Sequence, residues 1–212
     1  MLEPKPIKIV NLQSVDSTNN YVWDAALKGE PEILVVRATA QTQGKGRLGR
    51  TWVSRPGGLY VSFLLRPQNN IQELCFLPIA LGLAVVKTLS DVAAVKIKWP
   101  NDVYLNGKKL CGILVEARSS REKAEFAVAG IGINVNIPAA DLPEHATSLL
   151  IETGQIQDMP VLFKKLVSRV LTVYNSFGRG EINDLLKEVQ PYLIEPQDLT
   201  NAVNLSRTIN LR

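Results

Sequence analysis

The chain has 212 residues, 46% hydrophobic and 21% charged, enough to fill one core and to make one domain with at most a small appendage. A net charge of +4, from 24 basic and 20 acidic side chains, is too small to argue for bulk nucleic-acid binding and suits anionic small molecules or an acidic partner. The single histidine, His145, argues against a histidine metal cluster or a Ser-His-Asp triad, and Cys75 and Cys111, without metal-ligand spacing, read as buried free thiols.

Met1 to Pro6 has no signal-peptide core, and the longest apolar run, the thirteen residues Leu74 to Val86, is too short to span a bilayer, so a cytoplasmic location is expected. Residues 7–12 read as a short strand. Asp16-Ser17-Thr18-Asn19-Asn20 is a cluster of helix N-cap formers ahead of a helix that Gly29 ends. One of these residues caps; the spare hydroxyl and amide are available to a ligand at the positive end of the helix. Glu32 to Arg37 and Leu59 to Leu65 are β-branched or apolar runs and read as buried strands. Ile71 to Asp91 is an apolar helix that Pro78 kinks or restarts. Val95 to Trp99 alternates as a strand, and Asn106-Gly107 between Val103-Tyr104-Leu105 and Lys108 to Ala117 signals a hairpin. Arg118 to Lys123 reads as a charged turn, Ala124 to Ile133 as a strand, 138–159 as a Pro-containing loop, and Val161 to Phe177 and Glu181 to Val189 as helices; 190–212 carries little pattern. Paired strands with irregularly interspersed helices predict an α+β domain with a mixed, mostly antiparallel sheet.

Residues 41–52, Gln41-Thr42-Gln43-Gly44-Lys45-Gly46-Arg47-Leu48-Gly49-Arg50-Thr51-Trp52, show neither helical nor strand periodicity. Alternating glycines and cations suit close backbone approach to an anion, or simply a solvated basic loop. The stretch contains a literal G-x-G-x-x-G and comes within one residue of a P-loop. Both patterns need a helix to begin at the loop, and Trp52 to Gly58 cannot supply one, so both are rejected.

A two-residue turn at Asn106-Gly107 pairs Leu105 with Lys108, Tyr104 with Lys109, Val103 with Leu110 and Asp102 with Cys111. Asp102 and Lys109 then leave the same face as diagonal neighbours, about 7 Å apart at Cβ, together with Tyr104 and Cys111, while Lys108 points to the other face. A surface ion pair and a functional pair are both consistent with this geometry. Asn134 and Asn136 end the strand after a Gly-Ile-Gly-Ile run; they serve either as Asx-turn formers or as amides that read a base edge or ribose.

Five motifs, Asp16-Ser17-Thr18-Asn19, Gln41-Thr42-x-Gly44-Lys45-Gly46-Arg47-x-Gly49-Arg50-x-Trp52, Lys98-Trp99-Pro100-Asn101-Asp102, Lys109-Leu110-x-Gly112-Ile113-Leu114-x-Glu116 and Gly132-Ile133-Asn134, stand in an order and spacing that resembles the biotin–protein ligases. The resemblance runs from about residue 9 to about 178. It implies a class II aminoacyl-tRNA synthetase-like fold and a two-step reaction. Biotin and Mg·ATP give biotinyl-5′-adenylate, which then acylates a lysine of a biotin carboxyl carrier domain such as that of acetyl-CoA carboxylase. It further implies that Lys109, Arg47 and Asp102 are catalytic. Ser17, Thr18, Asn19, Gln41, Lys45, Gly46, Arg47, Lys109 and Gly112 would hold biotin. Arg47, Arg50, Trp52, Asn101 and Asn134 would hold ATP and the adenylate. Mg2+ would come with ATP, with Asp102 as its protein contact; no dedicated metal site is expected. Neither DNA nor membrane is an expected partner, and the chain would be a monomer or homodimer.

The sequence departs from the family pattern in three places. Lys45 stands where an arginine is usual. No helix-turn-helix precedes the domain, which points away from the DNA-binding repressor form. Residues 1–178 would be the catalytic domain and 179–212 a short extension in place of a small β-barrel. The rivals are a lipoate–protein ligase, a non-catalytic biotin-binding protein and a basic-loop nucleic-acid module. The loop and the Lys-Trp-Pro-Asn-Asp run favour biotin.

Overall fold

Among the described residues, eight strands form one sheet that separates a large apolar core from a smaller one carrying a cavity. The computed structural model describes residues 6–120, 123–195 and 209–211. In chain order these are β1 (Lys8–Val15), α1 (Thr18–Leu27), β2 (Leu34–Gln41), β3 (Leu59–Leu65), α2 (Ile71–Leu74), α3 (Leu77–Leu89), β4 (Lys96–Lys98), β5 (Asp102–Leu105), β6 (Lys108–Ser120), β7 (Lys123–Ile133), α4 (Leu149–Thr153), α5 (Met159–Gly178), α6 (Ile182–Val189) and β8 (Asn210–Leu211). The strand order is β1-β2-β3-β7-β6-β5-β4, with β8 beside β6. Of the pairings between these strands, β1–β2 and β6–β8 are parallel and the others antiparallel. The expected α+β architecture with a mixed, mostly antiparallel sheet is therefore observed.

Alternation along the strands sends odd residues of β2 and β3 to one face and even residues to the other. Val35, Val61, Phe63, Val115 and Ile131 meet α3, α5 and α6 in the large core. Every residue of α3 except Lys87 is buried, which is why this helix is apolar all round. The Ile71–Leu89 stretch is apolar enough to cross a membrane by length and composition, but here it is two helices packed mostly within the core. Pro78 sits in the first turn of the second helix, where its missing N–H costs nothing. On the opposite face Val22 and Ala26 of α1 cover Leu34, Val36, Leu64, Phe126 and Val128. The Trp23 ring meets Phe126 edge-on at 4.9 Å.

The structure corrects several local expectations. Arg118 to Ser120 continue β6 rather than forming a charged turn, and β7 already begins at Lys123; the rest of the expected turn, 121–122, lies outside the described residues. The 138–159 segment is not all loop: Ser148 caps the short α4 by accepting the Ile151 N–H, and Gly154 closes it at φ 68°. Asn210–Leu211 pair with Glu116–Ala117, so the C-terminal stretch contributes a strand. Of the expected 179–212 extension, residues 196–208 and 212 lie outside the described residues.

Candidate active site

A cavity of about 520 Å3 opens on the α1 face of the sheet and collects residues from all five sequence motifs. That volume suits a drug-sized ligand. Its floor is flat because the strands supply glycines there: Gly112 on β6 lies opposite Gly132 on β7, which lies opposite Tyr60 on β3. The Trp52 indole rests on this floor. A Cβ on Gly132 would sit 2.6 Å from Trp52 Nε1, and one on Gly112 2.9 Å from Cζ3. Trp52 Nε1 is buried and has no hydrogen-bond partner among the described residues.

The inner end is polar and buried. Ser17, Thr18 and Asn19 are at most 4% exposed. Ser17 occupies the N-cap position of α1 with extended backbone (ψ 132°), yet its side chain makes no capping bond, so the expected cap by one of these side chains is not formed. Instead the Thr18 N–H and Oγ1 both donate to Gln41 Oε1, at 2.8 and 3.0 Å. Gln41 Nε2 donates to Ser54 Oγ, which donates to the Trp52 carbonyl. Ser62 Oγ lies 2.7 Å from Thr18 Oγ1 and 2.6 Å from Asn19 Oδ1, and Asn19 Nδ2 donates to the buried Glu116 carboxylate at 2.8 Å. Gly130 admits this arrangement, since a Cβ there would lie 2.1 Å from Asn19 Oδ1.

The outer end is cationic. Lys109 Nζ forms a 2.7 Å ion pair with Asp102 Oδ2 and sits 5.4 Å from the Trp52 ring centroid. The diagonal Asp102/Lys109 geometry expected from the Asn106-Gly107 turn is thus present, but the register beyond it differs. Leu105↔Lys108 and Tyr104↔Lys109 hold; a bulge then sets Val103 opposite Cys111 and Asp102 opposite Gly112. The extra residue lets Leu110 and Cys111 both enter the large core, so Cys111 lies on the face opposite to the expected one. Burial pushes its thiol well above the ordinary range. The bulge also brings Gly112 beneath Trp52. Asp102 Oδ1 is buried without a partner among the described residues.

Residues 41–54 form an irregular hairpin, not a phosphate loop that opens a helix. Gln41 bridges Ser54, Lys45 bridges Thr51, and Trp52 N–H donates to the Gly44 carbonyl. The tip is a 3-10 turn, Arg47–Gly49, with Leu48 in left-handed backbone (φ 56°) and 76% exposed. Arg47 reaches across the cavity mouth to Asn101 Oδ1 at 2.6 Å. Burial lowers the affinity of its guanidinium for the proton, an effect opposed by Asp102 and reinforced by Arg50. Lys45 Nζ bonds Asn20 Oδ1. Gly46 spends its N–H on the Arg50 carbonyl, so its contribution to the site is backbone shape. Asn101 Nδ2 donates to Ile113 O, and Asn134 Nδ2 to Thr147 O. Both asparagines line the cavity while their amide nitrogens fasten its walls. Asn136 lies elsewhere: its side chain pairs with both backbone groups of Gln157.

The remaining wall, 142–147, had no signal in the sequence beyond the discounted His145. It is added to the β6 edge by backbone bonds from Lys109 N to His145 O and from Thr147 N to Lys109 O. Glu152 staples it to the β5–β6 turn, accepting from Thr147 Oγ1 at 2.5 Å and Asn106 Nδ2 at 2.6 Å. These two bonds, the one from Thr147 first, hold the Glu152 carboxyl below its ordinary range. A depressed carboxylate stabilises the fold above its unfolded-state value, and the effect is lost as pH falls through the folded value. Glu152→Gln is therefore expected to lower unfolding free energy by about 1 kcal/mol near neutral pH and by much less near pH ~3. Urea denaturation at both pH values checks this; a loss that is equal at both assigns the effect to something other than the carboxylate charge.

The family model of the biotin/lipoate A/B protein ligase family matches residues 12–134. The chain is 37% identical over 148 residues to the bifunctional ligase/repressor BirA of Bacillus spizizenii, covering 66% of this chain and 46% of that protein. It is 37% identical over 130 residues to the biotin–[acetyl-CoA-carboxylase] ligase of Paracoccus denitrificans, covering 58% and 53%. It thus spans about half the length of these curated relatives. The solved biotin protein ligase of Aquifex aeolicus in complex with biotin and ATP superposes with a TM-score of 0.76 at 33% identity, over 88% of this chain and 78% of that one. The matched residues carry all five motifs whole, and the chain belongs to the biotin/lipoate A/B protein ligase family, among its biotin protein ligases.

Proposed function

We propose that the protein is an ATP-dependent biotin–protein ligase that makes biotinyl-5′-adenylate and transfers biotin to a lysine of a biotin carboxyl carrier domain. The observation that carries this reading is the polarity of one cavity. It has a hydrogen-bonding inner end at Thr18 and Gln41 and a cationic outer end at Lys109 and Arg47. Biotin has the matching polarity, a neutral ureido ring at one end and a carboxylate at the other.

In the first step the biotin carboxylate attacks the α-phosphorus of ATP, the bond to the β-phosphate breaks, and pyrophosphate leaves. Two anions must approach, and Lys109 and Arg47 lower that barrier electrostatically. Arg50 and Lys45 add charge at the mouth, and Trp52 and Asn134 support the nucleotide. In the second step the carrier lysine attacks the acyl carbon and AMP leaves. The Asp102 Oδ1 without a partner is the acceptor nearest to hand for an ammonium that must lose its proton. Among the described residues no group of three His, Cys, Asp or Glu could hold a metal ion. Mg2+ would ride on the ATP phosphates and screen their charge, with Asp102 as its protein contact. The 41–54 hairpin would close over the adenylate and keep water from the anhydride. The reading also places the enzyme in the cytosol.

Biotin-dependent pyrophosphate release from ATP, followed by label transfer to a carrier domain, tests the assignment. Lipoate incorporation without biotin incorporation would overturn it in favour of the lipoate branch; biotin binding without pyrophosphate release would leave a sensor. Lys45 carries a separate prediction. Lys45→Arg restores a planar, bidentate donor and is expected to slow dissociation of biotinyl-adenylate about fivefold, the equivalent of one net hydrogen bond of about 1 kcal/mol. Stopped-flow release of the adenylate measures it, and an unchanged or faster off-rate contradicts the role given to this position.

A further inference from the structure

The polar chain behind the inner end of the cavity is one proton short. Three oxygen–oxygen contacts run through it: Thr18 Oγ1 to Gln41 Oε1, Ser62 Oγ to Thr18 Oγ1, and Ser62 Oγ to Asn19 Oδ1. Only two hydroxyl protons, those of Thr18 and Ser62, are present to fill them. Neither terminal amide can turn to relieve the shortage. Gln41 is fixed because the Ser54 proton is already spent on the Trp52 carbonyl, so Ser54 must accept from Gln41 Nε2. Gln41 Oε1 then faces the Thr18 N–H. Asn19 is fixed because its Nδ2 faces Glu116, which is 2% exposed and, as a carboxylate, accepts only. Turning Asn19 would set its Oδ1 against a carboxylate oxygen.

We propose that Glu116 is a positioning residue that locks Asn19 and so keeps the inner end of the cavity short of a proton, making an N–H donor on the ligand a condition of tight binding. Thr18 and Asn19, which line the cavity together with Gln41, present the acceptors; Ser62 and Glu116 act from behind. The ligand's name rests on the biotin reading above, in which the donor is a ureido N–H. A buried acceptor left without its donor is costly, and a site built to receive a hydrogen bond rejects the analogue that lacks it. Glutamine at position 116 removes the lock. Its amide can donate as well as accept, so Asn19 can turn, give an N–H to Ser62 and complete the chain without the ligand.

The experiment compares biotin with its two cyclic-carbamate analogues, in which one or the other ureido N–H is replaced by a ring oxygen. Both share the altered carbonyl, so the contrast between them isolates the missing donor. The wild-type enzyme is expected to disfavour one regioisomer over the other by about tenfold or more in kcat/KM for pyrophosphate release. In Glu116→Gln that contrast is expected to fall below about threefold, with a raised KM for biotin and a KM for ATP within about twofold of wild type. Wild-type enzyme that uses both carbamates equally overturns the proposal without any variant, as does a folded Glu116→Gln enzyme that keeps the contrast. No turnover of biotin or of either analogue by wild type would instead bring down the ligase reading and this inference with it.

Discussion

Lys109→Ala is expected to lower biotin-dependent pyrophosphate release about 10^3-fold, the upper range for loss of one preorganised group that stabilises developing charge. Lys109 is the only cation on β5 or β6 paired with Asp102, at 2.7 Å, and it is three-quarters buried with its ammonium near the Trp52 face. Its alkyl stem also lies over the glycine floor, with Cε 3.5 Å from the place of a Cβ on Gly112. The lost ion pair should cost only about 1 kcal/mol of stability, since both partners keep some solvent contact, so the variant remains folded and the rate effect can be read directly. Adenylation and transfer separate the roles. Supplying preformed biotinyl-adenylate should restore much of the transfer if Lys109 acts chiefly on the first step. Pyrophosphate release within about threefold of wild type would remove Lys109 from the reaction.

The second large effect is expected at a residue with no side chain. Gly132→Ala places a methyl group 2.6 Å from Trp52 Nε1 and 2.8 Å from Cε2. Gly132 lies inside the sheet between Tyr60 and Gly112, so the backbone cannot retreat and the indole must leave. Trp52 anchors the cationic hairpin through its backbone N–H to the Gly44 carbonyl, so a displaced indole pulls on the hairpin that carries Arg47. A misplacement of about 1 Å costs about 10^2-fold; kcat/KM for biotin transfer should fall by that factor while urea stability changes by about 1 kcal/mol or less. Wild-type kcat/KM in a folded Gly132→Ala enzyme would mean that the Trp52 position is irrelevant to the site.

Much of the fold was legible because each signal was local. The run Leu59 to Leu65 coincides with β3, and the Asn106-Gly107 turn fixed its first two strand pairs. What the sequence could not yield depends on partners distant in the chain. The bulge that turns Cys111 away from the pocket arises because Leu110 and Cys111 both find room in the core under α3, a fact of packing rather than of pattern. The motifs named Thr18, Gln41, Lys109 and Asp102 correctly as neighbours. They gave no sign of Ser54 and Ser62, single hydroxyls in ordinary positions, which join those motifs only once β2, β3 and α1 are in contact. The wall at 142–147 escaped for a similar reason: it binds through backbone groups and one carboxylate six or more residues from the cavity-lining His145 and Ala146.

The two faces of the sheet carry unequal apolar loads. The large core lies wholly on the side of α3, α5 and α6, while the cavity shares its side with a small cluster beneath α1. Tolerance to mutation should divide along the same plane. Pocket residues rest on a platform whose cohesion comes from elsewhere, so the specificity of this chain can be rewritten one side chain at a time, as laboratory evolution toward other carboxylic acids would require, without drawing down the stability that keeps it folded.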